Sequence, residues 1–170
     1  MKLNKNLVLI GMMGSGKSTI GYLLSKSLKI NFIDVDKVIE KETGQKIYDI
    51  FKNKGEPYFR ELEEKITLKL LKKNRKIISL GGGGFLNKNI KKEVIDNNIS
   101  FWLSWKNSTI IKRILNSRKR PLAFYSSKNK LIKIIKDRSK IYSEANYTIN
   151  CENLTKNMIV NEIISINEKN

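Results

Sequence analysis

The sequence predicts an α/β fold, a five-stranded parallel sheet flanked by helices. Short, near-continuous apolar runs ("NLVLIG", "NFID", "KIISLG", "SFWLSW", "YTINC") alternate with longer stretches of helical period, as expected when crossover helices bury both faces of the strands. The first run passes directly into a glycine–lysine loop, "GMMGSGKS", and then into a helix. No repeat or Pro/Gly-rich linker divides the 170 residues, a length that suits one domain, 1–170, with a sizeable core.

Taken in order, the first strand, "NLVLIG", ends on the glycine loop. In the helix behind it Ile20, Leu23, Leu24 and Leu28 recur at helical spacing and form one buried face. The second strand ends "FIDVDK", which brings Asp34 and Asp36 out at the carboxyl edge of the sheet, on one side if the strand continues. Asp36 also suits the N-cap of a helix starting "KVIEKE". A helical stretch over 44–74 is broken by Gly55-Glu56-Pro57, with proline well placed for a first turn; it reads as an insertion on the scaffold. The third strand runs into four glycines, Gly81 to Gly84. Glycine is costly to order, so four together behind a buried strand imply that something lies flat against that backbone and leaves no room for a Cβ. The fourth and fifth strands are separated by a helix and by the polar, basic stretch "NSRKRPLAFYSSKNK", 116–130, which reads as a mobile loop.

Composition narrows the chemistry. Histidine is absent and the one cysteine, Cys151, has no partner, which removes His-based triads, His-ligated zinc and an intramolecular disulfide and agrees with a reducing, cytoplasmic location. No apolar run approaches the roughly 20 residues of a membrane span. The formal charge of +18 is large. It would help an anionic substrate arrive, but the basic residues are scattered among Asn and Ile along the whole chain. No nucleic-acid partner is expected, no membrane partner, and a monomer.

Gly11 to Ser18 fits G-x-x-x-x-G-K-S completely, after a strand and before a helix. Gly14, Ser15 and Gly16 let backbone N–H groups wrap phosphate oxygens while the helix aims its positive end at them. Lys17 reaches the β- and γ-phosphates, the Ser18 hydroxyl takes a place on Mg²⁺, and Thr19 continues the helix at the edge of the ATP site.

The combination of "GMMGSGKS", "DVD", "ETGQKIYDIF…GEPYFRELEE", "SLGGG" and "RPL", in this order, resembles the shikimate kinase family from Asn6 to about Asn150. The resemblance implies a P-loop kinase fold with a substrate-binding subregion at about 35–65 and a lid at about 116–130. It implies transfer of phosphate from ATP, with Mg²⁺, to the 3-hydroxyl of shikimate. Arg60 and Arg138 match the family's carboxylate clamp, and a planar guanidinium suits a carboxylate. Glu63, one turn beyond Arg60, would hold it in place. Asp36 matches the ligand of the ring hydroxyls, Asp34 a contact to Mg²⁺ made through water or another ligand, and Gly81, Gly82 and Gly83 the floor under the ring. Arg120 matches the lid residue that reaches the transferring phosphate, and Arg113 the residue that stacks on adenine. Gly84 departs from the family, where a small non-glycine residue is commoner, and would loosen the loop. Trp102, Trp105, Phe101 and the Met12-Met13 pair read as packing. Two alternatives stand beside this: a gluconate or nucleotide kinase sharing the donor machinery, and a basic nucleic-acid-binding NTPase using its charge as the binding surface.

Overall fold

A computed structural model describes residues 5–73, 75–116 and 127–169. Five strands, β1 (Leu7–Ile10), β2 (Phe32–Asp34), β3 (Ile77–Ser79), β4 (Ile99–Ser104) and β5 (Tyr147–Asn150), form one sheet in the order β2-β3-β1-β4-β5. Every pairing is parallel. The helices are α1 (Lys17–Leu28), α2 (Val35–Thr43), α3 (Ile47–Leu71), α4 (Lys88–Asn97), α5 (Asn107–Leu115), α6 (Lys128–Tyr142) and α7 (Lys156–Glu168), with a 3₁₀ turn over Gly84–Leu86.

The strand pleat separates two cores. Val8 and Ile10 of β1 join Ile78 and the buried faces of α2 to α6, while Leu7 and Leu9 join Ile77, Phe101, Ile149 and the faces of α1 and α7. Burying one such Leu or Ile side chain is worth about 1.5–3 kcal/mol, so both faces of the sheet hold their helices. At the amino edge, fully buried Asn6 donates to Leu71 O (2.9 Å) and Asn98 Oδ1 (2.7 Å) and accepts from Lys76 N (3.1 Å). This ties α3, α4 and the approach to β3 together beneath the sheet.

Local punctuation follows the sequence with one exception. Gly55 (φ 80°) breaks α3 into two helical segments just before Pro57, as the glycine–proline pair predicts. The exception is at β2. The strand does not continue past Asp34; the chain enters α2 at Val35, and Asp34, not Asp36, is the N-cap, with its side chain accepting from Lys37 N. Asp36 therefore stands in the first turn of α2, where a carboxylate favours the helix dipole.

In this strand order β2 and β3 lie on one side of β1, and β4 and β5 on the other. The crevice of such a sheet opens at the carboxyl ends beside the strand where the order reverses. The loop after β1, the turn into α2 and the glycines after β3 all meet there.

Candidate active site

The donor side is built by the loop between β1 and α1. Gly11, Gly14 and Gly16 adopt φ of +143°, +83° and +93°, values that side-chain-bearing residues rarely take. Gly16 serves as the N-cap of α1 without a side-chain cap, leaving the helix's first N–H groups directed into the loop. Lys17, only 8% exposed, donates to Gly11 O (2.7 Å) and Met12 O (3.1 Å), so its ammonium lies inside the turn.

Ser18 donates its hydroxyl to Asp34 Oδ2 at 2.5 Å. Asp34 pairs in register with Ser79 of β3, which in turn lies beside Leu9 of β1. A carboxylate one strand over thus serves the place where β3 itself ends in an uncharged residue. No cluster of three or more acidic, His or Cys side chains able to cage a metal occurs among the described residues. A hydroxyl beside one carboxylate fits an ion such as Mg²⁺, which keeps waters and takes phosphate oxygens for the rest of its shell.

A cleft of about 710 Å³ opens from the loop toward α5 and the turn after β5. Gly14, Ser15, Gly16, Thr19 and Arg113 line it, as do Trp105 and the turn from Leu154 to Asn157. Arg113 donates to Gly14 O (3.3 Å), and its guanidinium lies 3.7 Å over the Trp105 ring. Glu152 reaches across from that turn to accept from Lys106 N (3.0 Å) and Thr109 Oγ1 (2.7 Å), capping α5. Those bonds, Thr109's first, hold its carboxyl below the usual range. Packing accounts for Met12, Phe101 and Trp102, but only for part of Trp105. Arg120 lies outside the described residues, as does most of the expected lid.

Across the crevice, the four glycines lie beneath side chains. A Cβ on Gly83 would collide with the Arg60 guanidinium, whose Cζ would lie 2.7 Å away. A Cβ on Gly81 would meet Glu63 Oε1 at 2.5 Å and Asp36 Oδ1 at 2.7 Å. On Gly82 it would approach Met13 N at 3.2 Å, with Arg138 Nη1 at 3.8 Å. Asp36, Arg60, Glu63 and Arg138 are thereby brought over one short backbone stretch. What requires the missing Cβ atoms at Gly81 and Gly83 is these side chains. Gly84 is buried; its N–H donates to Gly81 O (3.0 Å) and it opens the 3₁₀ turn.

The charges are held from behind. Arg60 donates to Glu63 Oε2 (2.6 Å) and, through Nε and Nη2, to Glu56 Oε1 (3.1 and 2.9 Å). Glu63 is 2% exposed and its Oε1 is buried without a hydrogen-bond partner. Burial raises the Glu63 carboxyl above its ordinary range, against the pull of Arg60 and Arg138. Burial, then the Asp34 and Glu63 charges, push Asp36 up to about 6, with Lys17 opposing. Arg138 donates to Gly82 O (3.1 Å), and the Tyr142 hydroxyl donates to the same oxygen. Burial pushes that phenol up to about 12, so it remains a donor. Sequence reasoning missed Tyr142, although it stands four residues after Arg138, on the same face of α6. The family resemblance puts an adenine-contacting turn after the fifth strand, at about "CENLTK", without assigning its residues; Leu154 to Asn157 line the cleft there.

A phosphate loop with a hydroxyl–carboxylate pair, facing a cluster of acids and arginines across one crevice, is the layout of a small-molecule kinase. A model of the shikimate kinase family matches residues 13–167. A shikimate kinase of Sulfurihydrogenibium sp. is 39% identical over 161 residues, covering 95% of this chain and 96% of that protein. One of Persephonella marina is also 39% identical, covering 94% and 97%. The solved shikimate kinase of Acinetobacter baumannii in complex with shikimate superposes with a TM-score of 0.88 at 27% identity, covering 98% of this chain and 94% of that one. The chain belongs to the shikimate kinase family, phosphotransferases whose reaction is the phosphorylation of shikimate by ATP. Among the described residues no helix is long and apolar enough to cross a membrane.

Proposed function

We propose that this chain transfers the γ-phosphoryl group of ATP to the 3-hydroxyl of shikimate, with the glycine-backed hollow seating the acceptor. The observation that carries this reading is the placement of two guanidinium groups, Arg60 and Arg138, over successive glycines beside Asp36. Two planar forks can hold a ring carboxylate in bidentate fashion. Asp36 accepts from the 3-hydroxyl, aligns its oxygen and takes its proton as the new bond to the γ-phosphorus forms and the bond to the bridging oxygen breaks, releasing ADP. Lys17 and the loop N–H groups hold the β- and γ-phosphates of ATP, and Arg113 stacks on the base. Arg120 supplies a further cation to the transferring group. Ser18 would hold Mg²⁺, with Asp34 behind it contacting the ion through water, and the ion would offset the charge of the phosphates. Positioning and charge neutralisation do most of the work in such a transfer. Donor and acceptor sites come from one chain and one domain, so a monomer suffices.

The test is a coupled ADP-release assay over shikimate, gluconate and nucleoside monophosphates. Turnover on shikimate is expected; strong turnover on another acceptor with none on shikimate would end the reading. ATPase activity is expected to stay flat when RNA or DNA is added at two salt concentrations, whereas salt-sensitive stimulation would favour a nucleic-acid-dependent NTPase.

The glycines provide a graded test of the same hollow. Gly83→Ala must displace the Arg60 guanidinium, a half-buried group held by Glu56 and Glu63, and is expected to raise the shikimate KM about tenfold, the loss of one charge-assisted contact. Gly82→Ala needs a shift of only tenths of an ångström and is expected to cost about two- to threefold. Steady-state kinetics at saturating ATP checks the order; equal effects would mean that the side chains over the glycines do not seat the acceptor.

A further inference from the structure

Trp105 has contacts that packing does not explain. Its indole N–H donates to Ser15 O at 2.9 Å, inside the phosphate loop, although the two residues are 90 positions apart. Its ring lies under the Arg113 guanidinium at 3.7 Å, and Arg113 in turn donates to Gly14 O at 3.3 Å. Both side chains line the 710 Å³ cleft, as does Leu154. The structure therefore contains a closed link from loop backbone to indole to guanidinium and back to loop backbone.

The guanidinium is a planar cation that stacks on π-systems with either face. An arginine on the surface of a helix samples many rotamers, and only a few present a flat face to the cleft. An indole beneath it selects those few in advance, so that less freedom is lost when a base arrives. We propose that Trp105 is the positioning residue for the nucleotide base: it holds Arg113 flat as a plate on which the base of ATP stacks. Its bond to Ser15 O keeps that plate in register with the phosphate loop. This inference rests on the reading that ATP occupies the cleft.

Trp105→Leu removes both the plate's support and the N–H donor. It is expected to raise the KM for ATP about five- to tenfold, within the range of a cation–π contact, while the shikimate KM and kcat change less than about twofold. Trp105→Phe keeps an aromatic face without the donor and is expected to fall between wild type and Trp105→Leu. A residue that only packs would lower the unfolding temperature of both variants and leave the ATP KM where it was.

A second measurement does not depend on turnover. The chain has two tryptophans, and Trp102 lies beside Tyr142, with ring centroids 6.2 Å apart, and does not line the cleft. In Trp102→Phe the emission of Trp105 is isolated, and titration with ADP is expected to change it with the Kd that calorimetry gives for the wild type. If Trp102→Phe does not fold, the emission difference between wild type and Trp105→Phe on adding ADP is the same readout. ADP binding by the wild type with unchanged Trp105 emission and an unchanged ATP KM in Trp105→Leu would overturn the inference. Failure of the wild type to bind ADP would instead overturn the assignment of the cleft.

Discussion

Replacing Arg60 with alanine is expected to raise the KM for shikimate by about two orders of magnitude and leave the KM for ATP nearly unchanged, since a charge-assisted pair to a carboxylate carries roughly 2–3 kcal/mol. The same substitution should lower stability, for a reason independent of substrate. Glu63 is buried, and Arg60 is its only hydrogen-bonding partner among the bonds described, at 2.6 Å. Removing one member of a buried pair strands the other charge, at a cost of about 3 kcal/mol or more. Arg138, which also draws the Glu63 carboxyl down, offsets part of this. The sign with pH follows. Glu63 already titrates above its unfolded value, so its ionised form is disfavoured in the folded protein, and loss of Arg60 disfavours it further. The deficit of Arg60→Ala against wild type should therefore be larger at pH 8 than at pH 5. Thermal unfolding at the two pH values, together with both KM values, checks the whole argument. An equal loss of ATP and shikimate affinity would show that Arg60 does not belong to the acceptor side.

Parts of this site were legible because local rules agree with global ones. The phosphate loop could be found because glycines at positive φ, a strand before and a helix after are all local requirements. The five strands could be found because a parallel sheet buried on both faces leaves apolar runs with little alternation. Other parts depend on where the chain returns in space. The donation from Tyr142 to Gly82 O spans 60 residues and that from Trp105 to Ser15 O spans 90; no periodicity encodes either. The glycine run illustrates the difference. Its composition announces a close approach, but composition alone does not say what approaches. The side chains of Arg60, Glu63 and Asp36 do so at Gly81 and Gly83. The helix start at Val35 shows the limit of pattern in the other direction: Asp34 and Asp36 both suit a cap, and only the end of β2 decides between them.

Asp36→Asn is expected to move activity and stability in opposite directions. If Asp36 aligns the acceptor hydroxyl and takes its proton, kcat should fall by about 10²–10⁴. Stability at pH 7.5 should rise. The folded protein holds this carboxyl at about 6 against an ordinary 3.8, because burial and the Asp34 and Glu63 charges disfavour the ionised form. Between those two values the folded state binds the proton more tightly than the unfolded state does. Stability therefore falls as pH rises through that window, and the full penalty is present above it. For a half-buried group facing Lys17, that penalty is on the order of 2 kcal/mol, or about 4–8 °C in Tm. An amide escapes the penalty. Its N–H₂ also lies near the unpartnered Glu63 Oε1, since that oxygen and Asp36 Oδ1 both lie within 2.7 Å of one point over Gly81. Thermal unfolding of the nucleotide-free protein in a chelator should show the gain at pH 7.5 and its loss near pH 4. A variant less stable than wild type at pH 7.5 would mean that Lys17 holds Asp36 more strongly than its neighbours repel it. The hollow would then be electrostatically relaxed before substrate binds, and not poised to receive a proton.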